Sequence, residues 1–168
     1  SGLTLGPDKQ YLLESRLLPI VRKGGFGDLT GLIAALRAAP SSPLVSTVVE
    51  GMTTNESLFF RDKLPFDLIG QQLLPELARR NAATRRITMW SAGCSTGQEA
   101  LSLAMLLAQQ PAQWENWTFE ILATDVSASV IQTARQGCFS QFEIQRGLGA
   151  MQMIEWFDID DVNKAPAK

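Results

Sequence analysis

Apolar residues recur every three or four positions through the first half of the chain, as on the buried face of an amphipathic helix. Capping residues divide this half into short elements: Gly24 and Gly25 end the first, and Asp28 is a suitable N-cap for the second. Because proline cannot donate a helical hydrogen bond, we expect a break or bend at Pro19 and a kink at Pro75. The predicted helical segments are 8–23, 29–39, 44–50, 58–62 and 66–80.

The pattern changes at Arg85, where short runs rich in β-branched and aromatic residues begin to alternate with helical ones. Ser127 is a suitable N-cap for the last of these helices and Gly137 a suitable stop. A strand–helix–strand–helix order requires a parallel pair of strands with a right-handed crossover. The predicted elements are strands 85–93 and 117–125, helices 99–110, 128–135 and 151–157, and a polar, frayed end over 158–168.

These patterns predict an α/β protein in two parts. Residues 1–84 would form a small all-helical N-terminal domain with its linker, and residues 85–168 the first half, βαβα, of an α/β domain. Two parallel strands are recognisable, so the predicted sheet is incomplete and leaves apolar faces and edges uncovered. We therefore expect a fragment or truncated form that self-associates through this sheet.

Composition narrows the functional classes. The chain has 168 residues, 45% hydrophobic and 19% charged, which is typical of globular proteins, and it lacks an apolar run long enough to cross a membrane. Its two cysteines, Cys94 and Cys138, cannot make a disulfide framework or a metal cluster and suit a reducing cytosol. Histidine is absent from the sequence, which excludes catalysis by Ser-His-Asp or Cys-His groups. Basic residues outnumber acidic ones over 1–86, and the reverse holds over 87–168. This asymmetry indicates either two ordinarily solvated surfaces or two parts with different partners.

A loop of small residues, Gly93 to Gly97, separates the first predicted strand from the helix that follows. In open α/β sheets, ligands bind beyond the carboxyl ends of the strands, and a helix N-terminus adds unpaired amide groups there. Glycines let the backbone approach such a ligand. A tight turn that packs the helix on the strand explains the same residues equally well.

The acidic residue at the end of the second predicted strand favours a ligand site. Asp125 can accept hydrogen bonds from ribose hydroxyls, whereas as a helix cap it would duplicate Ser127. No lysine follows Gly97 and the spacing is not G-x-G-x-x-G, which disfavours a triphosphate or dinucleotide. The pattern favours S-adenosylmethionine, a cofactor without phosphates, over NAD. Glu99 is either a first-turn residue that suits the helix dipole or a residue facing the pocket.

Four segments occur in the order and spacing of a known family: MTTNESLFFRDKLPFDLI (52–69), ITMWSAGCSTGQEALSLAMLLA (87–108), EILATDVSASVIQTARQGCFS (120–140) and QRGL (145–148). With residues 3–19 they resemble the chemotaxis receptor glutamate O-methyltransferases of the CheR type. The resemblance covers nearly all of residues 3–157 and implies a Rossmann-like class I methyltransferase domain behind a helical domain. It also implies S-adenosylmethionine as cofactor, S-adenosylhomocysteine as product, and a glutamate methyl ester as the modified group.

The resemblance further implies a role for particular residues. Arg61 would contact the cofactor and, as the catalytic residue, orient the substrate carboxylate; without the resemblance it would be an exposed charge beside two core phenylalanines. The implied cofactor-binding residues are Asn55, Ser57, Arg61, Gly93, Gly97, Glu99 and Asp125. The implied partners are the cytoplasmic helices of chemoreceptors, and the implied location of the protein is the cytoplasm. The resemblance implies no binding of nucleic acid or metal and no insertion into a membrane.

The chain also departs from the family pattern. Gln98 replaces a common glutamate, Ala100-Leu101 replaces a common Pro-Tyr, and the later strands of the family are not found. Half the pocket is therefore expected to be missing, so that cofactor binding would be weak or absent and the chain alone inactive. The alternative is a non-catalytic module that binds receptors or signalling partners. A nucleotide-dependent oxidoreductase is disfavoured by the glycine spacing.

Overall fold

The structure, a computed structural model, describes residue 6, residues 9–158 and the backbone of residues 164–166. The chain divides into two compact units, Ser1–Thr54 and Asn55–Lys168. Residues 55–84, which the sequence pattern groups with the N-terminal helices, lie in the second unit. Phe59 and Leu74 account for this difference, because both are buried in its hydrophobic cores.

The described residues of the first unit form three α-helices, α1 (Gln10–Gly24), α2 (Leu29–Ala38) and α3 (Pro43–Met52). Helix α1 continues through Pro19 and ends at Gly25, which adopts a left-handed conformation with a φ of 69°. The Asp28 side chain caps α2 by accepting a hydrogen bond of 2.8 Å from the Gly31 amide, as predicted. The buried core of this unit contains Leu17, Val21, Leu32 and Met52.

The first helical part of the second unit is interrupted by a π-helical turn. It consists of α4 (Leu64–Leu68), the π turn Ile69–Leu73 and α5 (Leu74–Arg80). The Leu74 amide donates to the Ile69 carbonyl, five residues earlier. The irregularity in the helix expected at Pro75 is therefore a π-helical turn that ends just before this proline. The helical conformation predicted over 58–62 is wrong, because Phe60 and Asp62 have left-handed φ values of 49° and 55°.

The two predicted strands form a parallel pair. Strand β1 (Arg86–Ala92) pairs along its whole length with β2 (Thr118–Thr124), and α6 (Gln98–Ala108) forms the crossover. Helix α7 (Ala128–Gln136) follows, which confirms the α/β class and the βαβα order. One face of the sheet packs against α5 and α6, where Ile87 joins Leu74 and Leu107 in one buried cluster. The other face leaves Trp90 and Leu122 exposed, as expected for the two-stranded parallel sheet that the described residues form.

Short elements complete the second unit: β3 (Cys138–Ser140), α8 (Gln141–Gln145), α9 (Ala150–Trp156) and β4 (Lys164–Pro166). Strands β3 and β4 pair in antiparallel fashion. The sequence pattern predicts α9 but not β3, α8 or β4. Most of the polar end expected to fray, over 158–168, lies outside the described residues.

Candidate functional site

The loop between β1 and α6 lies against the carboxyl end of β2. The amides of Gly93 and Cys94 both donate to the Thr124 carbonyl, at 2.8 and 2.9 Å. The turn is made with left-handed conformations at Gly93, Ser95 and Gly97. Ser95 has a φ of 51°, which is uncommon for a residue with a side chain and persists where surrounding contacts fix it.

Ser95 connects three segments that are far apart in sequence. Its amide donates to Asp125 Oδ2 at 2.9 Å, and its hydroxyl donates to the Asn55 carbonyl at 2.7 Å. The other oxygen of Asp125, Oδ1, accepts a bond of 2.9 Å from the Ser127 amide. The glycine loop, the end of β2 and the start of residues 55–61 therefore meet at one buried serine.

Asp125 consequently has a structural role that the sequence alone does not reveal. Ser127 does cap α7, because its hydroxyl accepts from the Val130 amide at 3.4 Å, and Asp125 orders the backbone just before it. An ionised carboxylate has about four acceptor positions. Its two backbone bonds therefore leave acceptor capacity for the hydroxyl groups of a ligand.

The two glycines of the loop differ in their surroundings. A Cβ built at Gly93 would meet nothing within 4 Å, so open space adjoins the backbone there. At Gly97, which has a φ of 100°, a Cβ would lie 3.2 Å from the Cβ of Ala134. Gly93 thus offers the close approach that a ligand requires, whereas Gly97 lets α7 pack against the start of α6.

Polar side chains at the start of α6 hold the surrounding segments. Glu99 accepts a bond of 2.6 Å from the Ser91 hydroxyl, which turns its carboxylate toward the end of β1. The fully buried Ser102 accepts from the Phe60 amide at 2.9 Å and donates to the Gln98 carbonyl at 2.6 Å. Sequence reasoning misses the contacts made by Ser95 and Ser102. For Ser102 a signal exists, a serine among the apolar residues of a predicted helix.

Cys94 is buried and unsuited to nucleophilic chemistry. Its side chain is 1% exposed. Burial, and next the negative charge of Asp125, raise the pKa of the Cys94 thiol, with a smaller contribution from Glu99. A protonated thiol is a poor nucleophile, which agrees with its interpretation as a small packing residue.

The segment from Asn55 to Arg61 covers part of the loop and α6. Asn55 contacts Ser95 through its carbonyl, and Ser57 is half-buried. Arg61 remains 56% exposed and donates to the Glu56 carbonyl at 3.1 Å. The structure therefore brings Asn55, Gly93 and Asp125 together, whereas Arg61 contacts its own neighbours in sequence, the Glu56 carbonyl and the Asp62 carboxylate at 3.9 Å. The roles of Ser57 and Arg61 in binding stay predictions.

The chemistry of the site fits an adenosyl ligand without phosphates. Two carboxylates, Glu99 and Asp125, flank the open backbone at Gly93, and no basic residue occurs between residues 93 and 99. Carboxylates accept from hydroxyl and ammonium groups and repel phosphate. The part of the chain that the structure describes contains no cluster of side chains able to hold a metal ion. Its helices are all too short or too polar to cross a membrane.

Comparisons with known proteins agree with the fold and with the expected cofactor. Residues 55–164 match the family model described as CheR methyltransferase, SAM binding domain, which names the cofactor expected from the sequence. The chain is similar to a chemotaxis protein methyltransferase of Vibrio parahaemolyticus, with 39% identity over 159 residues, 94% of the chain and 57% of the relative.

Two further relatives give the same picture. A chemotaxis protein methyltransferase of Vibrio anguillarum is 40% identical over 159 residues, 94% of the chain and 57% of the relative. Chemotaxis protein methyltransferase 1 of Pseudomonas aeruginosa is 36% identical over 164 residues, 94% of the chain and 58% of the relative. The chain thus spans under three fifths of the length of these relatives.

Proposed function

Because the chain belongs to the CheR methyltransferase family, we propose that the protein transfers methyl groups from S-adenosylmethionine to glutamate side chains of chemoreceptors. The contacts of Ser95 carry this proposal. They hold the glycine loop, Asp125 and Asn55 together at the carboxyl ends of parallel strands, the place where such sheets bind ligands. The relatives named chemotaxis protein methyltransferase support the choice of reaction.

In the proposed reaction the residues of the chain bind and align rather than transfer protons. Bound S-adenosylmethionine supplies an electrophilic methyl group on a sulfonium. A glutamate side chain is already ionised at neutral pH, so methyl-ester formation needs no general base, in keeping with a sequence without histidine. Asp125 and Glu99 would accept from hydroxyl and ammonium groups, and Arg61 would orient the substrate carboxylate. Rate enhancement would come from alignment and exclusion of water.

The proposed substrate is the helical cytoplasmic part of a chemoreceptor, and the proposed location is the cytoplasm. Cys94 and Cys138 are both free, which supports a reducing compartment. Cell fractionation followed by detection of the protein tests the location, and recovery in an oxidising extracellular fraction would contradict it.

Methyl transfer from labelled S-adenosylmethionine to receptor tests the function. The assay uses the longest form that the reading frame of this chain encodes. We expect Arg61→Ala to lower kcat/KM for receptor about 10- to 100-fold, because a fixed guanidinium no longer orients the carboxylate. Arg61→Lys should retain part of the rate, since lysine keeps the charge but not the planar fork.

Arg135→Ala is the matched control, because Arg135 is an exposed arginine in the last turn of α7. It should change the rate less than twofold, as expected for a solvated surface charge. A wild-type protein that binds receptor yet transfers no label would contradict the proposal and favour the interaction module.

We further propose that copies of the chain associate through uncovered apolar surface of the second unit. Between α6 and β2 lies an apolar groove of about 530 Å³, and the opposite face of the sheet exposes Trp90 and Leu122. The groove is lined by Ala104, Leu107, Ala108, Pro111, Trp114, Phe119 and Ile121.

Sedimentation at tens of micromolar should show species larger than a monomer. Leu122→Glu should shift the distribution toward monomer, and a wild type that is monomeric throughout would contradict the proposal.

A further inference from the structure

The turn between α8 and α9 contacts the segment that carries Asn55 and Arg61. A Cβ built at Gly147 would overlap the carbonyl oxygen of Phe59, so the backbone of the turn lies directly against that of the segment. Next to it, Arg146 Nη2 lies 2.9 Å from Glu56 Oε1, an ion pair between residues 90 positions apart. The Arg146 guanidinium also lies over the ring of Phe142, 5.6 Å from its centre, which restricts its orientation.

The segment needs such contacts because its backbone is strained. Phe60 within the segment and Asp62 directly after it have left-handed φ values, which cost free energy for residues with side chains. The Phe60 amide is fixed by Ser102 and the Asn55 carbonyl by Ser95. Glu56 lies between these two points in sequence, and its carboxylate accepts a hydrogen bond from Arg146.

We propose that Arg146 is a positioning residue for the candidate site, because its ion pair with Glu56 fixes residues 55–61 on the glycine loop. The effect on a ligand rests on the proposed function, whereas the ordering of the segment does not. Arg146 is 38% and Glu56 is 56% exposed, so the pair adds little to global stability. Its removal should therefore alter the segment far more than the unfolding of the unit.

The position of Arg61 gives the pair a second consequence. Glu56 is flanked by two guanidinium groups: Arg146 binds its carboxylate, and Arg61 binds its backbone carbonyl. The hydrogen bond and the charge of Arg146 lower the pKa of Glu56, with a smaller contribution from Arg61, so this carboxylate stays ionised. Without Arg146 the ionised Glu56 would attract Arg61 and draw it away from a substrate carboxylate.

Amide hydrogen exchange of residues 55–61, followed by mass spectrometry, tests the ordering without any ligand. We expect Arg146→Ala and Glu56→Gln to speed exchange about fivefold, the upper range for loss of an exposed ion pair, and Arg146→Lys to restore most of the protection. Arg86→Ala is the matched control, because Arg86 forms a comparable exposed pair with Glu120 at 3.1 Å. It should leave the exchange of 55–61 unchanged. Equal exchange in wild type and Arg146→Ala would overturn the proposal.

Calorimetric titration with S-adenosylhomocysteine tests the consequence for the site. Arg146→Ala should weaken binding about fivefold, and the exchanged pair, Glu56→Arg with Arg146→Glu, should recover affinity, which a purely local packing role would not produce. Tighter binding by Glu56→Gln would overturn the proposal, since Glu56 would then compete for the site. If the wild type, in the longest form that the reading frame of this chain encodes, binds no cofactor while the exchange result holds, the proposed function fails and the positioning role stands.

Discussion

Replacing Asp125 with alanine is expected to lower the free energy of unfolding of the second unit by about 2–4 kcal/mol. The carboxylate accepts two backbone hydrogen bonds, from Ser95 and Ser127. Hydrogen bonds to charged groups contribute about 1.5–3 kcal/mol each, and because Asp125 is only half-buried, water replaces part of what is lost and the expected change is smaller than the sum of two such bonds. Its removal would leave both amides without this acceptor and release the left-handed turn at Ser95. Urea denaturation monitored by tryptophan fluorescence measures the change, because the chain has four tryptophans.

Two further variants test whether Asp125 stabilises the loop through its hydrogen bonds or through its charge alone. Asp125→Asn keeps one acceptor oxygen, so it should cost about half as much stability while removing the charge that a cofactor would contact. Glu115→Ala removes an exposed carboxylate outside the site and should change stability by less than about 0.5 kcal/mol. Unchanged stability in Asp125→Ala would show that the two hydrogen bonds do not hold the loop.

Periodic sequence patterns predict the larger elements because each pattern is local. Helix α2 begins after its aspartate cap as predicted, and β1 and β2 fall within the predicted runs. The segment 58–62 fails for the opposite reason. The sequence pattern continues the helical prediction through this segment, but burial of Phe59 and the bond from the Phe60 amide to Ser102 select a left-handed turn. Those contacts join residues 42 or more positions apart, which a local pattern cannot contain.

The candidate site shows the same limit. The strand-end position of Asp125 is predictable from topology alone, and the structure places it beside the glycine loop. Its partner Ser95 is not predictable, because their bond depends on a left-handed serine conformation. From the sequence alone, Gly97 likewise suggests space for a ligand. In the structure, a Cβ at this position would contact Ala134, in a helix that begins some thirty residues later.

Replacing Phe59 with alanine is expected to have the largest effect, a loss of about 3–5 kcal/mol in the free energy of unfolding of the second unit. The side chain is 1% exposed and packs edge-to-face against Phe139 and Phe157, with ring centres 5.1 and 5.5 Å away. Phe139 and Phe157 also pack edge-to-face on each other at 6.0 Å, so the three rings form one cluster. Alanine would leave a cavity among rings that cannot all move inward.

The position of Phe59 in the chain extends the effect to the candidate site. Its ring anchors residues 55–61 to the core while its carbonyl contacts Gly147, so Phe59→Ala should speed amide exchange across the segment more than Arg146→Ala does. Phe142→Ala is the matched control for stability, because that ring is 69% exposed and its loss should cost less than about 0.5 kcal/mol. Phe59→Leu should fall between the two, since it keeps much of the buried apolar volume. A loss below about 1 kcal/mol in Phe59→Ala would contradict this packing and, with it, the view that the core fixes the segment over the glycine loop.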